Sequence, residues 1–381
     1  MPSAVPREAD RRTSGLSDPA RQRRIAIAVA ALALALAFPF LDRELGLGLG
    51  PKAIPIGIFI VLALGLNVVV GFAGLLDLGY AAFFAIGAYT MAFLTSPASP
   101  FEWARTDPLN FWLAMAASTV VAALFGVILG APTLRLRGDY LAIVTLGFGE
   151  IVPLVVRNTP EVTRGVQGMN PIAFPELPFV KFGIVDLDPW YYLVLATVLA
   201  SIVLTSRLRS SRIGRAWMAI REDEVAAASM GVNLVTTKLF AFSLGASFSG
   251  FAGSIWASYL QVISPEQFDF SVSIFVLSMI ILGGMGNVYG VIAGGLLLGG
   301  FDRVLAEKLS DLFRNVGTAT GLDLLRDADV QKARTFIFGA ALVVMMLVRP
   351  EGLFPSQRRK MELHADDEAG QQRASLIEEI K

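Results

Sequence analysis

Apolar residues are gathered in long blocks along this chain, separated by short polar or glycine-containing segments. The blocks are about 15 to 25 residues long, which is the length that a helix needs to cross roughly 30 Å of hydrocarbon. Because a helix satisfies its own backbone hydrogen bonds in lipid, the pattern predicts an all-α integral membrane protein. The predicted spans lie at 25–41, 53–76, 78–95, 111–131, 140–156, 190–205, 238–260, 271–285, 288–301 and 335–348.

Two pairs of blocks are joined by very short breaks, at Asp77 and at Gly286–Asn287. Either pair can form two full spans or a re-entrant or broken helix. The sequence therefore predicts a polytopic bundle of about 8–10 transmembrane helices. The first block follows a basic segment, as in a signal peptide, but no small-residue cleavage site comes after it. We therefore predict a retained first span.

The distribution of basic residues orients these spans. Arginines are concentrated in residues 1–24, in the loop 206–238 and in the tail 349–381, whereas the loop 261–270 contains no lysine or arginine. Because cytoplasmic segments carry an excess of Lys and Arg, both termini and the loop 206–238 are predicted to be cytoplasmic. The loop 302–334 then faces outwards, although it contains six basic residues that as many acidic ones balance.

Three regions follow from this topology. A disordered cytoplasmic tail is predicted over 1–24, a transmembrane permease domain over 25–348, and a second cytoplasmic tail over 349–381. The proline-rich loop 157–189 is predicted to face outwards, either as a solvated connector or as a binding element. A bacterial cytoplasmic membrane is the location that this topology implies.

Composition excludes several classes of function. Of the 381 residues, 54% are hydrophobic and 17% are charged, which is fewer charges than a soluble domain carries. Lys and Arg number 32, as do Asp and Glu, so the net charge gives no sign of a nucleic-acid partner. The chain has no cysteine, and its one histidine, His364, lies in the C-terminal tail. We therefore expect no disulfide, no metal site and no cofactor.

The cytoplasmic segment 214–238 (GRAWMAIREDEVAAASMGVNLVTTK) is predicted to form one or two short helices. Glu224, Ala227 and Gly231 recur at three- to four-residue spacing, and Trp217 and Ile220 extend the same helical face. Small residues on an exposed face would make a shallow seat for another protein. An amphipathic helix that lies on the membrane surface fits the flanking arginines equally well.

This segment resembles the EAA loop of ABC importer permeases, which docks into a groove of the ATP-hydrolysing subunit. The resemblance assigns the coupling role to Gly214, Glu224, Ala226, Ala227 and Gly231. The motif is degenerate, since an extra valine follows the glutamate and no proline closes it.

Four further stretches resemble permeases of branched-chain amino acid importers, specifically of the LivM type. They are 65–89 (GLNVVVGFAGLLDLGYAAFFAIGAY), 134–150 (LRLRGDYLAIVTLGFGE), 282–300 (LGGMGNVYGVIAGGLLLGG) and 349–355 (RPEGLFP). Their order and spacing match from about residue 53 to residue 355. The segment 163–170 (TRGVQGMN) departs from the glycine-rich sequence of that family, which leaves the exact substrate open.

The resemblance also implies partners. The chain contains no G-x-x-x-x-G-K-[ST] phosphate loop, so ATP would be hydrolysed elsewhere and the chain itself is predicted not to be an enzyme. The implied partners are a second permease of LivH type, two ATP-binding subunits and a periplasmic binding protein that delivers a small amino acid.

Polar residues within or beside the spans are candidates for the translocation pathway: Asn67, Asp77, Tyr80, Thr145 and Glu150. Glu150 is placed near the middle of the bilayer by helical rise, where a carboxylate is costly. It can brace two helices or contact substrate, and Asn67 has the same two interpretations. Asp77 can cap the following helix or line the pathway.

Other functions compete with this hypothesis. A permease for urea or short amides would share most of these motifs. An ion-coupled secondary transporter would need intramembrane ionisable groups, of which Glu150 and Asp77 are the candidates. A membrane-embedded enzyme would need a nucleophile with a base or a set of metal ligands, and neither can be assembled from these spans. A structural scaffold leaves the family resemblance unexplained.

Overall fold

The computed structural model describes residues 19–133, 139–178, 180–320, 333–349 and 352–354. Each of the ten predicted blocks coincides with a helix in this part of the chain. The principal helices are α1 Pro19–Leu45, α2 Gly50–Leu66, α3 Tyr80–Thr95, α4 Phe111–Thr133, α5 Asp139–Asn158, α6 Leu187–Ser210, α7 Arg212–Glu222, α8 Glu224–Ser229, α9 Leu234–Leu260, α10 Phe270–Gly283, α11 Val288–Gly300, α12 Ala306–Thr320 and α13 Arg334–Val348.

Seven helical segments are long and apolar enough to cross a membrane, judged by length and composition within the described residues. Two shorter apolar helices, α3 and the main part of α13, accompany them. The chain is therefore an all-α, polytopic membrane protein. Helix α1 belongs to a separate unit that ends at Gly48, and the other helices belong to the unit that begins at Leu49. Helix α1 begins at Pro19, inside the predicted tail 1–24.

Helix α9 is central to the second unit, where it packs along α3 and α4 and also contacts α2. Glycine makes this close packing possible. A Cβ atom built on Gly87 of α3 would lie 2.3 Å from the Cα of Gly250 on α9. Lipid gives apolar helices no hydrophobic reason to associate, so a close backbone approach of this kind supplies the van der Waals contact that holds the bundle together.

The first predicted break is a true interruption of the helix. Helix α2 continues as a π-helical turn over Asn67–Phe72, and α3 begins only at Tyr80. The start of α3 is buried, so its free backbone N–H groups need partners from elsewhere in the bundle. The hydroxyl oxygen of Ser273 on α10 accepts one of these hydrogen bonds, from the N–H of Ala81 at 3.0 Å.

The second predicted break is a tight turn between α10 and α11. The side chain of Asn287 accepts a hydrogen bond from the N–H of Tyr289 at 3.2 Å and so caps α11. A C-terminal segment joins this turn, because the N–H groups of Leu353 and Phe354 donate to the last carbonyls of α10 at 2.9 and 3.1 Å. The carbonyls that end α10 are thereby satisfied.

The prediction of a loop over 302–334 is wrong for its first part. Helix α11 continues through a π-helical turn, Phe301–Leu305, into α12. Asp302, Ala306 and Ser310 are buried and follow one another at four-residue spacing, so they form one packed helical face, with charged residues elsewhere on the helix. Residues 321–332 lie outside the described part, as do the arginines at 135 and 137 and most of both predicted tails.

The connecting segments meet at two ends of the second unit. At one end, the backbones of Met169 and Ile263 exchange hydrogen bonds of 3.0 and 3.2 Å, which joins the loop 157–189 to the loop 261–270. Lys52 and Glu307 form an ion pair at the same end. At the other end the loop 206–238 meets both helix breaks. The loops 157–189 and 261–270, which meet at one end, are also on the same side of the membrane in the topology predicted from the basic residues.

Candidate functional site

The predicted coupling loop folds into two short α-helices, α7 and α8, and a side chain caps the N-terminus of each. The hydroxyl oxygen of Ser211 accepts a hydrogen bond from the N–H of Gly214 at 3.1 Å. A carboxylate oxygen of Asp223 accepts hydrogen bonds from the N–H groups of Val225 at 2.7 Å and Ala226 at 3.0 Å. Asp223 therefore ends α7 and caps the start of α8. The residues on either side of it do not share one continuous helical face.

The inner side of this loop is attached to the start of α9. Trp217 is buried, and its indole N–H donates to the carbonyl of Thr237 at 2.8 Å. The carboxylate of Glu224 pairs with the buried ammonium of Lys238 at 2.6 Å. The predicted seat that included Trp217 and Ile220 is wrong, because both side chains face the protein interior.

The outer side of the loop is formed mainly by α8 and the residues after it. Ala227 is buried, whereas Ala226 is exposed, so the paired alanines of the motif point to opposite sides. Val225 and Met230 are 71% and 85% exposed. This surface, formed by Val225, Ala226, Ala228 and Met230, is the apolar patch that the loop offers to another molecule.

The two glycines that the motif singled out have different roles. A Cβ atom on Gly214 would lie 2.1 Å from the carbonyl oxygen of Leu208, so only glycine fits the corner between α6 and α7. Gly231 has a φ of +85°, a left-handed conformation that favours glycine after a helix end. Within the described part of the chain, nothing lies within 4 Å of a Cβ atom built on Gly231.

No pattern in the sequence singles out Arg221, which lies at the end of α7. Its guanidinium donates a hydrogen bond of 2.5 Å to the carbonyl oxygen of Gly71, in the π-helical turn that ends the first span. Its methylene carbons lie against Gly74, where a Cβ atom would come within 2.8 Å of the Arg221 Cγ. The predicted coupling loop therefore contacts the first helix break directly. Only the proximity of the folded segments reveals this, since 150 residues separate Arg221 from Gly71.

Asn67 joins the first helix break to the second. Its side-chain oxygen accepts a hydrogen bond of 2.9 Å from the N–H of Gly286, in the turn between α10 and α11. The side chain is fully buried, and its amide nitrogen has no hydrogen-bond partner among the described residues. The bracing interpretation of Asn67 thus has a structural basis, while both N–H donors of its amide lack a partner among the described residues.

Asp77, Tyr80 and Thr145 lie together where α3 begins. The Asp77 carboxylate is buried and accepts a hydrogen bond from the N–H of Gly79 at 2.9 Å. The hydroxyl oxygen of Thr145 accepts another from the N–H of Leu78 at 3.1 Å. The Tyr80 hydroxyl donates to the carbonyl of Gly245 on α9 at 2.9 Å, so Tyr80 ties α3 to the central helix.

A cavity of about 490 Å³ lies between α3, α4, α5 and α9, with Asp77 and Thr145 in its wall. The rest of its lining is almost wholly apolar and includes Phe83, Leu129, Phe148 and Phe242. Asp77 is only 1% exposed, so the accessible wall of the cavity is apolar and suits an aliphatic group.

Glu150 is not buried, which argues against the brace between helices of this chain and leaves the prediction of substrate contact untested. It lies on the exposed side of α5, eleven residues after the first residue of that helix, which is about 16 Å along the axis. Its neighbours on this side include the exposed Ile143, Ile151 and Leu154. No ion pair or hydrogen bond joins the Glu150 side chain to another described residue, so it braces no helix of this chain there.

The loop 206–238 therefore carries an exposed apolar patch, and hydrogen bonds of Arg221 and Asn67 join this loop to the first helix break and the first break to the second. No group of three or more His, Asp or Glu residues in the described ranges could hold a metal ion.

Comparisons with known proteins identify the family of this chain. Residues 53–347 match the family model described as the permease component of branched-chain amino acid transport systems. The chain is 39% identical to the high-affinity branched-chain amino acid transport permease LivM of Salmonella typhimurium, over 83% of this chain and 72% of that protein. It is 38% identical to LivM of Escherichia coli over the same shares.

A second type of permease is also similar. The chain is 23% identical to LivH of Salmonella typhimurium, over 77% of this chain and 90% of that protein. No solved structure matches the chain. Both permease types therefore match most of the transmembrane region, and the two LivM proteins named above match it with the higher identity. The chain belongs to the family of permease components of branched-chain amino acid transport systems, and within it to the LivM type.

Proposed function

We propose that this chain is one of two transmembrane permeases of a bacterial ABC importer for branched-chain, aliphatic amino acids. Two ATP-binding subunits, a LivH-type permease and a periplasmic binding protein complete the transporter, and the chain itself hydrolyses no ATP. The observation that carries the proposal is the hydrogen bond from Arg221 to Gly71, because it connects the exposed loop to a broken membrane helix.

The apolar patch of Val225, Ala226, Ala228 and Met230 is the docking surface for an ATP-binding subunit. Val225 and Met230 are exposed on and just after a short helix. Burial of their apolar surface against a partner would be favourable. The Glu224–Lys238 ion pair and the Trp217 hydrogen bond hold the back of the loop on α9. A push on the patch is therefore transmitted to the bundle.

Substrate passes near the first helix break in this proposal. The Asp77 carboxylate faces the substrate ammonium, and the apolar wall of the cavity accepts the aliphatic side chain. Thr145 and Tyr80 hold the start of α3 in position through their hydrogen bonds. The periplasmic binding protein sets most of the selectivity, so the path only has to tolerate small zwitterions.

Glu150 marks the side of the chain that faces the second permease. A carboxylate in the middle of an apolar membrane face is costly in lipid and calls for a donor or for water. A homologous permease packed against α5 can supply that donor or share a water-filled path with this chain. The exposed position of Glu150 supports this role over that of an internal brace.

The orientation follows from the same proposal. To contact the ATP-binding subunits, the loop 206–238 has to lie on the cytoplasmic side. Its arginines agree with the positive-inside rule. The segments 352–354 and 284–287 share that end, so the C-terminus is cytoplasmic too. The N-terminus is assigned to the cytoplasm from its arginines.

Reconstitution tests the proposal. The chain is co-expressed with a LivH-type permease, the ATP-binding subunits and the binding protein, and leucine uptake into proteoliposomes is measured. Uptake that requires both ATP and the binding protein is expected. Uptake of urea or short amides instead of leucine would favour the alternative substrate class. ATP hydrolysis stimulated by the binding protein would in that case still support an ABC importer. Uptake that follows an ion gradient without ATP would establish a secondary transporter instead.

A further inference from the structure

Three parts of the chain that are distant in sequence meet at one point, which we name the Arg221 junction: the segment 67–79, which includes the π-helical turn, the end of α7 and the turn 284–287. Arg221 lies at the centre. Its guanidinium contacts the carbonyl of Gly71 at 2.5 Å, and a Cβ atom on Gly286 would lie 3.4 Å from the same guanidinium. A single side chain from the coupling loop thus reaches both helix breaks.

Glycines make this contact possible, and they leave little room for adjustment. A Cβ atom on Gly71 would lie 2.1 Å from the Asn67 side-chain oxygen and 2.7 Å from the Gly286 nitrogen. Gly74 has a φ of +71° and lies against the methylene carbons of Arg221. Close-packed groups of this kind move together, because separating them loses contacts and opens voids.

The hydrogen bond has a chemical reason to be strong. The last carbonyls of a helix lack partners within the helix and carry the negative end of its dipole. The positively charged guanidinium of Arg221 satisfies one of them, and charge-assisted hydrogen bonds are roughly twice as strong as neutral ones. The planar guanidinium also has several donors in a fixed geometry, which the ammonium of a lysine lacks.

We propose that Arg221 is the positioning residue that fastens the coupling loop to the broken end of α2, so that the loop and the first helix break move as one body during transport. The inference rests on the proposed function and extends it to a single side chain. Movement of α7 by an ATP-binding subunit shifts the π-helical turn, and Asn67 carries the shift to the turn 284–287 through its 2.9 Å hydrogen bond.

The first test separates uptake from ATP hydrolysis in the reconstituted, complete transporter. Arg221→Ala should lower leucine taken up per ATP hydrolysed by about tenfold or more, in line with the loss of a hydrogen bond to a charged group. Arg221→Lys should recover only part of that loss. Arg215→Ala removes an exposed arginine from the same helix and should leave the ratio unchanged.

The second test replaces the hydrogen bond with a covalent bond. A Cβ atom on Gly74 lies 3.2 Å from the Arg221 Cβ, close to the spacing of about 3.5–4.5 Å in disulfides. The chain has no native cysteine, so Gly74→Cys with Arg221→Cys provides the only pair in this subunit. Uptake per ATP should be low with reductant and should recover on oxidation. Gly74→Cys alone measures the cost of a side chain at that left-handed position.

The outcomes divide clearly. An unchanged ratio of uptake to ATP hydrolysis in Arg221→Ala would overturn the inference. Failure of the cysteine pair to form a disulfide, or oxidation that leaves uptake unchanged, would also overturn it. Loss of uptake on oxidation would do the same, since the loop and the helix break would then have to move separately. Absence of ATP-dependent uptake by the unaltered transporter would instead overturn the proposed function.

Discussion

Glu224 and Lys238 form an ion pair of 2.6 Å between α8 and the first turn of α9, and the Lys238 side chain is only 7% exposed. The pair holds the exposed half of the proposed coupling loop against α9. Because Lys238 is buried while the Glu224 side chain is 37% exposed, removing Glu224 leaves a buried ammonium without its partner, which costs more than the loss of a fully exposed pair.

The first prediction concerns this ion pair. Glu224→Arg places two positive charges together, so the loop should detach from α9 and leucine uptake should be lost, while the subunit still inserts into the membrane. Uptake and membrane content are measured on the same cells. The charge swap Glu224→Lys with Lys238→Glu should restore much of the uptake. Normal uptake by Glu224→Arg alone would contradict the prediction.

The second prediction concerns packing at the Arg221 junction. Gly71→Ala introduces a methyl group 2.1 Å from the Asn67 oxygen, and overpacking of this kind typically costs about 1–3 kcal/mol. We expect a lower thermal unfolding temperature for the detergent-solubilised subunit. Gly339→Ala in α13 is the matched control, because within the described residues nothing lies within 4 Å of the added carbon. It should be neutral or slightly stabilising.

The third prediction separates the two roles of Asp77. Asp77→Ala removes the acceptor for the Gly79 N–H, and a buried donor without a partner costs about 1–3 kcal/mol, so stability should fall. Asp77→Asn keeps an acceptor and removes the charge. The asparagine variant should fold with nearly normal stability and yet lose most uptake, if the carboxylate faces the substrate ammonium. Normal uptake by Asp77→Asn would limit Asp77 to a structural role.

The fourth prediction concerns Glu150. Because its side chain is exposed and contacts no other described residue through an ion pair or hydrogen bond, Glu150→Leu should leave the thermal stability of the isolated subunit unchanged or raise it. The same change should weaken co-purification with the LivH-type permease or lower uptake, and Glu150→Gln should retain part of both. A leucine variant that assembles and transports normally would show that α5 faces lipid at this position.

Secondary structure and membrane character could be predicted from the sequence because both depend on local composition. Each apolar block is long enough to cross the bilayer, and a helix needs no partner for its backbone there. The breaks at Asp77 and Gly286 were also visible, as polar and glycine residues between two blocks. The extent of α12 was not, because its charged residues hide a buried face at four-residue spacing.

The candidate site was predictable only in part. The motif drew attention to the segment that holds Glu224, Ala227 and Gly231, and its coupling role stays a prediction; the motif could not assign the sides of the loop. Asp223 interrupts the helix, which turns Ala226 outwards and Trp217 inwards. For Glu150 the sequence left a brace between helices and substrate contact open, because the exposure of its side chain depends on which neighbouring helices cover that side of α5.

The sequence by itself determined the all-α membrane class, the positions of the apolar helices, the two breaks and the family, since each of these depends on residues that are close together in the chain or on motifs in a fixed order. Only the tertiary structure decided which distant groups meet. Arg221 and Gly71 are 150 residues apart, and Asn67 and Gly286 are 219 apart. Their contacts arise from the way the helices pack around α9, and helix packing depends on shape complementarity across the whole bundle, which no local pattern encodes.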